Sequence, residues 1–423
     1  MRLRLIAVMV TGIFLIASCT SSTTTATDSP VADTTEPSQP TTTEPTRETL
    51  PDATSSVELR DNSLTSGLSE RVQSAITKWE TDWTHSIIDL AELRLGIASV
   101  DPRDIIRPID GPILADLATT ATWVDDREPG ALVEVNGKRR FYPLSILTRH
   151  EIVNDTLGDV PIAVTYCPLC NTAATYDRRV GDQVLRLGVS GLLRNSDMVI
   201  WDTATTSLWQ QITGEAIVGS FAGTRLERIS TGIVSLGEVR GNFPDATSLD
   251  RDQGHGFRYQ VNGYAGYSSE PAPISGFADA PTDERLQALE RVVGVTINDE
   301  TKAYGFPTLQ EIRVVNDELG GEPIAVLWGG NTLDALDATF IPDSRSVGTG
   351  VAYFATVEGQ KLTFAAKGDD TFTDTETGTT WTLLGAALEG PLTGAQLEFA
   401  PHSNEFWFAF AFFFAGADLY EIL

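Results

Sequence analysis

Basic residues are few in this chain. Its 423 residues hold 30 Lys and Arg against 58 Asp and Glu, a net charge of −28. That balance argues against a nucleic-acid ligand, whose phosphates need basic groups. It reads as a solubility device. Cysteine is scarce, at positions 19, 167 and 170 only, and the histidines are His85, His150, His255 and His402. A second Cys-x-x-Cys knuckle is missing, which excludes a closed four-cysteine zinc site. There is no Gly-rich nucleotide loop and no defensible serine triad; Ser190 in "VSG" lacks the flanks of a nucleophile elbow. "HEIVND" carries Asn154 where a zincin has its second histidine, which excludes that protease motif. Long apolar runs are missing too. The C-terminal "NEFWFAFAFFF" is too short to span a bilayer as a helix and is expected as a buried strand or aromatic core.

The N-terminus is more specific. Arg2 and Arg4 precede the apolar run "LIAVMVTGIFLIAS", and Cys19 follows. A basic start and a short apolar stretch form an export signal rather than a spanning helix. "IASC" resembles the bacterial lipobox, which implies cleavage before Cys19, lipidation of that residue and anchoring to the outer face of the cell membrane. Residues 20–56 are nearly all Thr, Ser, Pro, Asp and Glu. Such chain has no apolar surface to offset its ordering entropy and reads as a flexible tether. The body then lies outside the cytoplasm, where a cysteine pair persists oxidised.

Within the body, "RRFYPLSILTRHEIVNDTLGDVPIAVTY" recurs as "TKAYGFPTLQEIRVVNDELGGEPIAVLW" at an offset of 162. Further on, "WDTATTSLWQQITGEAIVG" recurs as "TDTETGTTWTLLGAALEG" at an offset of 172, placing Asp202 on Asp374 and Trp209 on Trp381. Two homologous halves follow from this. Short alternating or continuous apolar segments between Gly, Asp and Asn turns predict strands, and "PLSILTRHEIVND" predicts a short helix. The expected fold is mainly β (α+β), with two related halves, barrel-like or sandwich-like. The expected parts are a signal over 1–18, a tether over 19–56, and a region over 57–128 with one helix in "LSERVQSAITKWETDW" followed by Pro-rich extended chain. A first repeat over 129–250, a Gly- and Tyr-rich connector over 251–290 and a second repeat over 291–423 complete them.

The first repeat alone carries chemistry. Cys167 aligns with Gly329, Cys170 with Thr332 and His150 with Ile312. "TYCPLCNT" has three readings. A redox pair uses the spacing for disulfide closure and a lowered thiolate pKa, with His150 tuning a cysteine and Arg194 favouring thiolate. It needs no cofactor, only a redox partner or small substrate. A metal site uses the turn as a knuckle for zinc or copper, with Cys167, Cys170 and His150 as ligands and Met198 as a further soft donor. An inert clamp is the third reading, though so short a loop constrains little unfolded-state entropy. Ser190, Arg194, Asn195, Asp197 and Met198 are candidates to line a pocket near the thiols. Asn154 and Asp155 recur as Asn316 and Asp317, so a structural role as turn or cap is expected.

"YPLSILTRHEIVNDTLGDVPIAVTYCPLCNTAATYDR", "GVSGLLRNSDMVIWD" and "SLWQQITGEAIVG" resemble the domain-of-unknown-function family numbered 3179, and the likeness runs from about Trp79 to the C-terminus. Some relatives are described as selenoproteins, which implies a chalcogen redox centre at the CPxC turn. Arg149 stands where an aromatic is more usual, and Leu236 and Val239 stand where Trp is expected. The leading expectation is an exported thiol oxidoreductase. The alternatives are a zinc- or copper-binding module and a non-catalytic cell-envelope interaction protein.

Overall fold

A computed structural model describes residues 67–278, 283–368 and 370–422. The expected signal, Cys19 and the tether lie outside the described residues. Strand dominates, as expected. The frame begins with a hairpin, Pro129–Val135 with Lys138–Pro143. Its two-residue turn, Asn136–Gly137, has both φ angles positive, at 49° and 70°. That left-handed pair matches the twist of the flanking strands. Helix Leu144–His150 follows and stops where Glu151 turns left-handed at φ 57°. A second hairpin, Ile152–Leu157 with Val160–Cys167, turns at Gly158–Asp159, again with both φ angles positive. The chain then makes the CPLC turn and returns as strand Thr172–Asp177.

Three five-stranded sheets grow from this frame. One holds Ile152–Leu157, Val160–Cys167 and Thr172–Asp177, extended by Arg228–Ile229 and Ile109–Asp110. A second holds Leu187–Arg194, Asp197–Asp202, Leu208–Gln210 and Ala216–Val218, with Leu93–Leu95 on its edge. The third joins Thr231–Ser235 to the first hairpin, with Thr247–Leu249 and Leu114–Asp116 beyond.

The same succession recurs later: hairpin Arg291–Ile297 with Glu300–Gly305, helix Phe306–Ile312, then hairpin Val314–Leu319 with Glu322–Gly329. Its side-chain bonds recur as well. Tyr142 Oη donates to Asp155 Oδ2 at 2.7 Å, and Tyr304 Oη to Asp317 Oδ2 at 2.9 Å. Trp209 Nε1 donates to Asp202 at 2.9 Å, and Trp381 Nε1 to Asp374 at 2.8 Å.

Three expectations change in detail. Asn154 and Asp155 are structural but sit within a strand rather than at a turn. Asn154 Nδ2 donates to Leu187 O at 2.8 Å, joining the first sheet to the second, and Asp155 also accepts from Arg140. The C-terminal aromatic run is half strand, His402–Phe406, and half helix, Trp407–Phe413. Its alternating look hides an i, i+3, i+7 stripe in which Trp407, Phe410 and Phe414 stack at 5.8 and 5.2 Å. The early helix spans only Glu70–Ala75, and the chain after it contributes strands to all three sheets. Among the described residues, no helix is long and apolar enough to cross a membrane.

Strand His402–Phe406 ties the late hairpins to the early ones. It pairs with Arg291–Ile297, while Phe406 N donates to Cys170 O at 2.8 Å and Asn404 Oδ1 accepts from Ile233 N at 3.0 Å. The core around the cysteines accordingly mixes Tyr142, Tyr166, Ala173 and Trp209 with Ala335, Leu336, Phe406 and Phe408.

Candidate functional site

Cys167 ends its strand, paired in register with Thr172. The four residues between backbone partners close by Cys170 N to Cys167 O at 3.2 Å and Asn171 N to Pro168 O at 3.3 Å. Asn171 is left-handed at φ 51°, and its Oδ1 accepts from Tyr166 Oη at 3.0 Å. Tyr267 Oη donates to Leu169 O at 2.9 Å from above. The turn is thus fixed from three sides. Both thiols are free and sealed, Cys167 at 2% exposure and Cys170 at 0%.

The third member is Asp197. It opens strand Asp197–Asp202, just after the left-handed pair Asn195–Ser196. Its Oδ2 accepts from Gln210 Nε2 at 2.6 Å and Ile212 N at 3.0 Å, while Oδ1 is buried with no hydrogen-bond partner. The Cys167 and Cys170 sulfurs and a carboxylate oxygen of Asp197 all lie within 4.8 Å of one another.

Electrostatics follow from burial. It pushes both thiols up, Cys170 well above the ordinary range. It pushes Asp197 up to about 6, against the bonds from Gln210 and Ile212. Neighbouring Glu151, which accepts from Tyr264 Oη at 3.2 Å, is likewise raised to about 7 by burial. The thiolate expected of a redox pair is therefore disfavoured in the free site, and a cation among these groups would reverse that.

Two expected partners stand elsewhere. His150 Nδ1 meets Arg107 O at 2.6 Å and Nε2 meets Tyr259 Oη at 2.8 Å, so both ring nitrogens are taken. Burial pushes it down to about 4, which keeps it neutral. It is not among the groups converging on the thiols. Arg194 points to Glu92 at 2.7 Å and lies over Phe412 and Phe413. Its Nη1 also donates to Gln210 Oε1 at 3.4 Å, so it meets the site only through the amide that holds Asp197. Met198 packs in the core, Ser190 donates to Val199 O on the adjacent strand, and His402 is buried.

The sequence singled out Asp197 only as one of five pocket candidates; its lack of a counterpart in the later half was the usable signal. Glu151 stands in "HEIVND", where the motif gives it no role. Glu405 and Arg228, both beside Asp197 electrostatically or through Ile212, went unnoticed. A single acid ahead of "FWFAFAFFF" was the missed sign. Among the described residues the later half holds no matching cluster, and at Gly329, the counterpart of Cys167, a Cβ would meet Leu383 at 2.4 Å.

No curated protein matches the chain, and no solved structure does. A family model does match, over residues 103–417, and it is described as a protein of unknown function, DUF3179. The chain belongs to that family.

Proposed function

We propose that Cys167, Cys170 and Asp197 form a buried metal centre in an exported, lipid-anchored protein. One observation carries this reading: two sulfurs and a carboxylate oxygen converge within 4.8 Å. The unpartnered Oδ1 supports it, because a buried carboxylate oxygen without a donor costs free energy unless something occupies that side. Two thiolates and a carboxylate suit zinc; thiolates alone would also suit copper(I). Three protein ligands leave a fourth position open, as in catalytic rather than structural zinc sites. Binding releases the two thiol protons, so affinity rises with pH. The test is metal analysis of protein purified with zinc under reducing conditions. One zinc per chain is expected, and its loss in Cys170→Ser. Metal-free protein with two free thiols after zinc reconstitution would overturn it.

The thiol oxidoreductase is the second reading. Its support is the approach of the two free sulfurs to within 4.8 Å of one another on one tight turn. It predicts a reductant-reversible loss of two hydrogens in intact mass, with no metal. The N-terminal basic residues, apolar run and Cys19 support the anchor. A lipidated Cys19 peptide is expected by mass spectrometry, and Cys19→Ala should release the protein from the membrane.

A further inference from the structure

A second cluster of polar groups lies beside the cysteines. Arg228 pairs in register with Tyr176 on adjacent strands, so their side chains share a face. Arg228 Nη1 donates to Ile212 O at 3.2 Å, and Tyr176 Oη to Gln211 O at 2.6 Å. Ile212 N donates to Asp197. The segment Gln210–Ile212 therefore gathers Arg228, Tyr176 and Asp197 around itself. Glu405 comes from the C-terminal strand, fully buried and within electrostatic reach of both Arg228 and Asp197.

These groups are left open. Both carboxylate oxygens of Glu405, Nε and Nη2 of Arg228, and Oε1 of Gln211 are buried without a hydrogen-bond partner. Opposite charges sealed in a protein interior normally close on one another, because each unpaired buried ion costs several kcal/mol. Here Glu405 Oε1 instead sits in the space left by Gly294, 2.3 Å from where a Cβ would be. The Nε and Nη2 edge of a guanidinium is the fork that grips two oxygens of one planar or tetrahedral anion. Burial raises Glu405 to about 7, so above that pH it is ionised, offers only acceptors and takes a proton donor. A guest that satisfies both has two acceptor oxygens and still keeps an O–H.

The geometry points to a binding site for a small protonated oxyanion, of the hydrogencarbonate or hydrogenphosphate type, held between Arg228 and Glu405. This site stands independently of the metal reading. The test is titration of the full-length wild-type protein with hydrogencarbonate, phosphate and nitrate by calorimetry, with chelator present so that an anion on a metal is not counted. Saturable binding of one hydrogencarbonate or phosphate per chain is expected, with nitrate at least tenfold weaker because it brings no proton. Arg228→Lys, which keeps the charge and loses the fork, should weaken binding at least tenfold. Glu405→Gln should narrow the gap to nitrate. No saturable binding to the wild type, or equal affinity for nitrate, overturns the site, and so does unchanged affinity in a folded Arg228→Lys protein. Should that variant fail to fold, the wild-type comparison with nitrate decides.

Discussion

At the scale of single residues, Asp197 sets ligand chemistry against stability. Its carboxyl is raised to about 6 by burial, so the native state favours the protonated form. A raised value contributes stability at low pH, below the ordinary carboxylate range, and that contribution is lost as pH rises through about 6. An asparagine at this position keeps an acceptor for Gln210 and Ile212 and never ionises. With chelator present, Asp197→Asn should be more stable than wild type at pH 8, by up to about 3 kcal/mol. Near pH 4 the two should be nearly equal. Zinc affinity should fall at least tenfold, since a carboxylate ligand is gone. Urea melts at the two pH values, paired with a zinc competition assay, check both halves. A variant less stable than wild type at pH 8 would mean that the ionised carboxylate is already compensated in the free protein.

At the scale of elements, the turn after strand Asp197–Asp202 works as a small unit. Asp202 accepts from Ala204 N at 3.0 Å, Thr205 N at 2.6 Å and Trp209 Nε1 at 2.9 Å. Asp374 holds Thr377 N at 2.6 Å and Trp381 Nε1 at 2.8 Å in the same way. Removing either carboxylate strands a buried indole N–H and turn amides. Asp202→Ala and Asp374→Ala should each cost about 2–3 kcal/mol, by urea unfolding, and by similar amounts. A cost below about 0.5 kcal/mol, the level of an ordinary surface change, would show that the turn closes without its aspartate. These two aspartates were legible in the sequence because they recur beside a recurring tryptophan. The hairpins were legible too, since Asn136–Gly137 and Gly158–Asp159 break apolar runs of strand length. The helical half of the aromatic run was not, because alternation and a helical stripe coincide over seven residues. The site was half legible. Cys167 and Cys170 announce themselves by spacing, whereas Asp197 comes to them from another sheet and Glu405 to Asp197 from the C-terminal strand, placements that spacing does not encode.

At the scale of the whole molecule, the late half completes the early one. Phe406 N caps Cys170 O, Asn404 bridges Ile233 N and Gly350 O, and Trp407 N donates to Glu290 O at 2.8 Å. The ring of Phe406 stands against Tyr267 at 6.1 Å, and Tyr267 in turn holds the CPLC turn through Leu169 O. Strand His402–Phe406 is thus a wall of the cysteine site although it lies more than 230 positions away in sequence. A chain ending at residue 400 loses that wall, two buried side-chain bonds to backbone and the cover over Cys170. Its thiols should react with a water-soluble disulfide reagent in native buffer within minutes, while the metal-free full-length protein stays protected until it unfolds. The contrast follows from burial, since reaction at a sealed thiol waits on opening of the structure. A truncated chain that keeps slow thiols and a single cooperative unfolding transition would mean that the early sheets close around the cysteines unaided. The C-terminal strand would then belong to the second half alone.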